Sequence, residues 1–212
     1  MTSSRISKLR EKSLKNQKKR DAKREQIAQT TLTIWSRLGY SETSLRDIAD
    51  ECGIAVSVLL YYFEDKTDLI LYSIQLYQKE FESFLDRLLD ETGDAKEVGS
   101  NTISRSVESI KKYGERHRLS FDIRAQALFD PHFKELADDM EKAQLNLTTR
   151  FLKRVGLTNI DPFDYFLNVD NRFRYFLQKH LAGDKNAADD LGTSLVKLFD
   201  DYRYLNDNKP RD

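Results

Sequence analysis

The chain has one cysteine, Cys52, with three prolines and eight glycines in 212 residues. A lone thiol excludes an intramolecular disulfide framework and suits a reducing compartment. So little proline and glycine leaves few turns for a β architecture and few obstacles to long helices. No apolar run approaches the ~18 residues of a membrane span, and the first residues lack a signal peptide's apolar core. A cytoplasmic protein that does not enter a membrane is expected. The ingredients of catalysis are also scarce. His117, His132 and His180 are scattered without metal-ligand spacing, and neither a glycine-rich phosphate loop nor a nucleophile elbow occurs. Asp138, Asp139 and Glu141 read as a solvated helix face. No catalytic residue, metal site or cofactor is expected, and an enzyme is not.

What the chain does have is apolar periodicity and an uneven charge. Hydrophobic residues make up 39% and aromatics 11%, enough for a packed core. The formal net charge of zero conceals a basic start. Residues 1–66 carry 13 Lys+Arg against 9 Asp+Glu, whereas the remainder carries 22 against 26. Ten of those bases fall in residues 1–24, beside only Glu11 and Asp21. Such an excess is either a nucleic-acid contact or a solubilising tail. Residues 1–20 are read as a basic flexible arm.

From Asp21 the pattern turns helical, with Ile27, Thr31, Ile34, Trp35 and Leu38 at three- and four-residue steps and Gly39 as the stop. Ser44 opens a short helix with Asp47 placed for a capping box. Gly53 supplies a tight turn, and Ala55 to Phe63 forms the next short helix. Two short helices around a glycine turn, behind a longer one, make a helix-turn-helix pattern over residues 21–66. Asp65 caps a long fourth helix. Thr92 to Ser100 reads as a loop, followed by helical segments near 101–114 and 118–129. The pairs Asp130-Pro131 and Asp161-Pro162 each place a capping carboxylate before proline at the first helical position. A last helix runs from about Asn186 to Leu205. No period-2 stretch earns the name of a strand, so the fold expected is all-α.

Residues 23–70, "KREQIAQTTLTIWSRLGYSETSLRDIADECGIAVSVLLYYFEDKTDLI", resemble the DNA-binding domain of the TetR family of bacterial transcriptional regulators. The shared features are "GY" closing the first helix, "TSLRDIA", "CGI" at the turn, "YYF" and "FEDKTDL". The resemblance implies an N-terminal three-helix DNA-binding domain and a C-terminal helical bundle, residues 67–205, that binds an effector and dimerises, with 206–212 as a tail. It implies a regulator, in the commonest case a repressor, on a palindromic double-stranded DNA operator. Carried residue by residue, it assigns Ser44 and Arg46 to the backbone or a base edge, and Tyr61, Tyr62 and Lys66 to phosphates.

The third helix departs from the family's polar pattern. With Leu59 and either Tyr62 or Phe63 turned inward, Val56, Ser57 and Leu60 face outward, along with Tyr61. Such a face either packs on thymine methyls, with specificity from Arg46 and DNA shape, or binds a protein. The alternative function is therefore a TetR-like interaction factor with altered or lost DNA reading. In the second domain Tyr72, Phe121, Phe129, Phe133, Phe173 and Phe176 stand as candidate walls of a cavity for a small hydrophobic or aromatic effector, and Phe166 belongs to the same aromatic set. The last two helices, within 161–205, are expected to join two copies into a homodimer.

Overall fold

The computed structural model describes residues 2–89 and 93–208. Among these the chain is all-α: α1 (Thr2–Leu38), α2 (Leu45–Glu51), α3 (Val56–Tyr62), α4 (Lys66–Leu89), α5 (Ala95–Gln126), α6 (Pro131–Arg154), α7 (Pro162–Leu181) and α8 (Ala187–Asn208). No helix among the described residues is long and apolar enough to cross a membrane.

The backbone divides into two compact units, Met1–Tyr77 and Gln78–Asp212. The division falls inside α4 rather than at its start. Leu69, early in α4, belongs to the same core as Ile27, Ile34, Ile48, Leu59 and Phe63, which draws that turn into the first unit.

In the first unit α1 is much longer than its apolar pattern suggests. Residues 2–20, read from the sequence as a flexible arm, continue the helix. No glycine or proline interrupts residues 2–38, and Lys, Arg, Gln and Leu are good helix formers. At the other end of α1, Ile27, Ala28, Leu32, Ile34 and Trp35 are buried. Ser44 caps α2 in a complete capping box with Asp47. Gly53, at φ 63°, then reverses the chain, and the Ile54 amide donates to the Ala49 carbonyl at 3.0 Å. Positive φ at this point favours glycine over residues with a Cβ.

The second unit packs α5 to α8 around Val98, Ile110, Phe151, Leu152, Leu177, Leu191, Leu198 and Phe199. Asp130 and Asp161 cap α6 and α7 ahead of their prolines, as the two Asp-Pro pairs led us to expect. The expected loop from Thr92 to Ser100 is cut short because Asp94 and Glu97 form a capping box that starts α5 at Ala95; Thr92 itself lies outside the described residues. The two helical segments anticipated near 101–114 and 118–129 are one helix with a kink at Tyr113, φ −128° and ψ 20°. At Gly99 the ring of Phe199 on α8 occupies the space a side chain would need, and Val107 does the same at Gly192.

Candidate nucleic-acid interface and ligand cavity

The helix-turn-helix begins with a hydroxyl that is already committed. The Ser44 oxygen accepts from the Asp47 amide at 3.2 Å, and its hydroxyl donates to the Asp47 carboxylate. That carboxylate also accepts from the Ser44 amide at 2.9 Å. These bonds hold the Asp47 carboxyl below its usual range, the Ser44 hydroxyl contributing most. Ser44 therefore fixes the start of α2. Arg46, the second residue of α2, is exposed and has no ion-pair partner among the described residues.

Helix α3 buries Leu59, with Phe63 buried just past its end, and rests Val56 and Tyr62 against the same core. Val56 is thus a packing residue rather than part of the outward face. The face left open consists of Ser57, Val58 at 42%, Leu60 at 44% and Tyr61 at 68% exposure. Tyr61 meets Tyr62 edge-on, with ring centroids 5.1 Å apart.

Two arginines of α1 stack behind this surface. The Arg20 guanidinium lies 5.7 Å from the Tyr61 ring. Arg24 lies over both Phe63, at 4.8 Å, and Tyr72, at 4.6 Å, and stands 3.7 Å from the Asp68 carboxylate. Lys66 turns inward: its ammonium donates to the Tyr40 carbonyl at 3.0 Å and sits over the Tyr40 ring at 4.6 Å. Desolvation lowers its pKa, and the Asp47 charge offsets part of that.

The second unit holds a cavity of about 170 Å³. Its walls are aromatic, from Phe81 and Phe84 of α4, Phe121 of α5, Phe151 of α6, and Tyr165, Phe166 and Phe173 of α7. Of the residues expected there, Phe121 and Phe173 line it. The other four do not. Tyr72 belongs to the first unit, where its ring packs on Phe63. Phe129 sits in the turn between α5 and α6 and is 87% exposed. Phe133 is fully buried, and Phe176 packs against the main core beside Tyr175.

The polar part of the wall escaped the sequence reading. His117 bonds to the Ser109 hydroxyl at 2.6 Å and meets the Phe173 ring edge-on. Burial pushes His117 down to about 4, hydrogen bonding to Ser109 offsets part of this, and Arg116 adds to it, so the imidazole is neutral at pH 7. Asp170 is the charged residue of the lining, and both its oxygens accept from one nitrogen of Arg124, at 3.0 and 2.9 Å. Arg124 also bonds to Gln144. The cavity thus offers ring faces and hydrogen-bonding groups with its charge internally cancelled.

A compact helical unit with a capped α2, a glycine turn and an exposed α3 defines a helix-turn-helix DNA-binding protein. Residues 27–72 match the family model described as bacterial regulatory proteins, tetR family. The first unit is therefore a DNA-binding domain of the TetR family, and the match supports a TetR-family transcriptional regulator. It is similar to YezE of Bacillus subtilis (strain 168), named as an uncharacterized HTH-type transcriptional regulator, with 25% identity over 81% of this chain and 94% of that one. Its fold matches a Saccharomonospora viridis chain solved in complex with choline, at TM-score 0.73 and 17% identity, covering 85% of this chain and 96% of that one. It also matches the regulator FadR of Bacillus subtilis, solved with stearoyl-CoA, at TM-score 0.63 and 16% identity, covering 82% and 95%.

Proposed function

We propose that the protein is a cytoplasmic, ligand-responsive repressor that binds a near-palindromic operator as a homodimer and leaves it when an effector fills the cavity of the second unit. The observation that carries this reading is the aromatic cavity itself, in a chain whose first unit matches a family of bacterial regulatory proteins. An apolar cavity of about 150 Å³ accommodates a benzene-sized molecule, so one of about 170 Å³ suits an effector of one or two rings. Asp170 is neutralised by Arg124 and His117 is uncharged, which favours a neutral effector with one hydrogen-bonding group at the His117 side. Stearoyl-CoA is far too large for this volume, and choline would draw only on the ring faces. Arg46, Ser57, Leu60 and Tyr61 form the reading surface, with Ser44, Tyr62 and Lys66 supporting it. Effector binding shifts a pre-existing equilibrium toward a spacing of reading helices that no longer fits the half-sites. The dimer is assigned to α7 and α8, where Phe163, Leu167, Tyr175, Val196 and Tyr204 remain exposed.

Selection of genomic fragments, followed by sequencing, tests the reading directly. A sharp palindrome that disappears in Arg46→Ala supports it; uniform background favours a protein-binding role for the α3 face. Thermal shifts with benzyl alcohol, choline and hexanoate test the cavity. Stabilisation by benzyl alcohol alone is expected, and stabilisation by choline alone would overturn the neutral-effector assignment. Light scattering should give a dimer that Leu167→Glu with Val196→Glu disperses; a monomeric intact chain would remove α7 and α8 from the argument.

A further inference from the structure

The amino-terminal half of α1 has no place in the core, yet its charges are ordered. Lys12, Lys15, Lys19 and Lys23 recur at three- and four-residue steps and so share one face of the helix. Lys12, Lys15 and Lys19 are exposed and have no ion-pair partner among the described residues. Asp21 lies off this face and accepts from Gln17 at 2.9 Å. The helix carrying the stripe runs unbroken into the buried turns at Ile27, Ile34 and Trp35. One turn before Arg24, Arg20 stacks on Tyr61, so the basic segment starts beside the exposed end of α3.

We propose that this lysine stripe is a second DNA-contacting surface, one that holds phosphates outside the segment read by α2 and α3. The inference rests on the DNA-binding reading above and adds a contact that carries no sequence information. From Lys12 to Lys23 the stripe spans about 17 Å at 1.5 Å per residue. A duplex presents roughly one phosphate charge per 1.7 Å of its axis, so several lysines can be neutralised together. A preformed helix meets them without the ordering cost of a flexible arm. A lipid surface is a poorer partner: Leu14 is the one apolar residue between Arg10 and Asp21, and an interfacial helix needs an apolar face.

Full-length protein with Lys12→Gln and Lys15→Gln tests this against a second variant that also carries Ser13→Lys and Gln17→Lys, which returns the charge to other faces. Circular dichroism confirms equal helix content. Binding is measured over a salt series on the operator recovered by genomic selection and on a mixed-sequence duplex several turns long. Loss of two phosphate contacts should lower the slope of log affinity against log salt by about two on both DNAs, leave the preferred sequence unchanged, and remain lowered in the charge-restored variant. An unchanged slope overturns the proposal. So does full recovery in the charge-restored variant, which would make the segment diffuse charge rather than a stripe. Loss of binding to phosphatidylserine vesicles with DNA affinity intact would assign it to lipid instead. A slope that falls on the mixed duplex, in a protein that shows no operator preference, would uphold the stripe while removing the repressor reading.

Discussion

His117 and Ser109 stand eight residues apart on α5, yet their side chains bond at 2.6 Å. On a straight helix they would be about 12 Å apart along the axis. The non-helical turn at Tyr113 closes that gap. The kink thus makes the bond possible, and the bonded pair lines the cavity.

Because burial depresses His117 from 6.5 to about 4, its neutral form is favoured in the folded protein. The unfolded chain binds the proton more readily, so stability is complete above about pH 6.5 and declines as pH falls toward 4. The decline attributable to this residue is about 3 kcal/mol. Urea unfolding from pH 7.5 to 4 should show it, and His117→Gln, which keeps a partner for Ser109, should remove it. Superimposable pH profiles for the two proteins would contradict a buried neutral imidazole.

Ser44 and Arg46 should fail in different ways. Ser44→Ala removes a cap and should cost about 1 kcal/mol of stability. Arg46→Ala should leave the melting temperature unchanged, weaken operator binding by about 1–3 kcal/mol and relax discrimination at one position per half-site. Paired melting and binding curves decide between them.

The open face of α3 is aliphatic at Val58 and Leu60. If it packs on thymine methyls, Leu60→Ala should weaken sites with thymine at the contacted step more than sites with cytosine there. Equal affinity for both sites before and after the change would direct the face to a protein partner.

Lys66→Met tests an ammonium that is bound twice within its own unit. Leaving the Tyr40 carbonyl unpaired should cost about 1–2 kcal/mol of stability, and specific and non-specific DNA should weaken alike. A variant that loses DNA binding with an unchanged melting temperature would show the Tyr40 contacts to be dispensable.

Gly99→Ala places a methyl group 2.8 Å from the Phe199 ring. Overpacking of this kind typically costs about 1–3 kcal/mol. Chemical denaturation should register the loss, and Phe199→Leu in the same chain should restore part of it. No loss in the single variant would mean that α8 can shift to make room.

The features readable in the sequence were those made by neighbours in the chain. The capping box of Ser44 and Asp47, the turn at Gly53 and the Asp-Pro helix starts each need only a few consecutive residues. The extension of α1 has no apolar periodicity to mark it, because residues 10–22 bury nothing; propensity and the lack of any breaker are what make it helical. The cavity was half-legible for a different reason. Phe121 and Phe173 look no different in sequence from Phe129 or Phe133, and only packing separates a wall from a core residue or an exposed turn. Ser109, His117 and Asp170 look like ordinary surface positions until a kink and an arginine from the same helix bring them into use.

The two glycines between α5 and α8 act as a key and its slot. One lies on each helix, Gly99 facing Phe199 and Gly192 facing Val107, so each helix takes a side chain of the other into the space its own glycine leaves. Over evolutionary time this separates two kinds of change. The cavity walls can exchange one ring for another, while any side chain larger than hydrogen at Gly99 or Gly192 forces α5 and α8 apart.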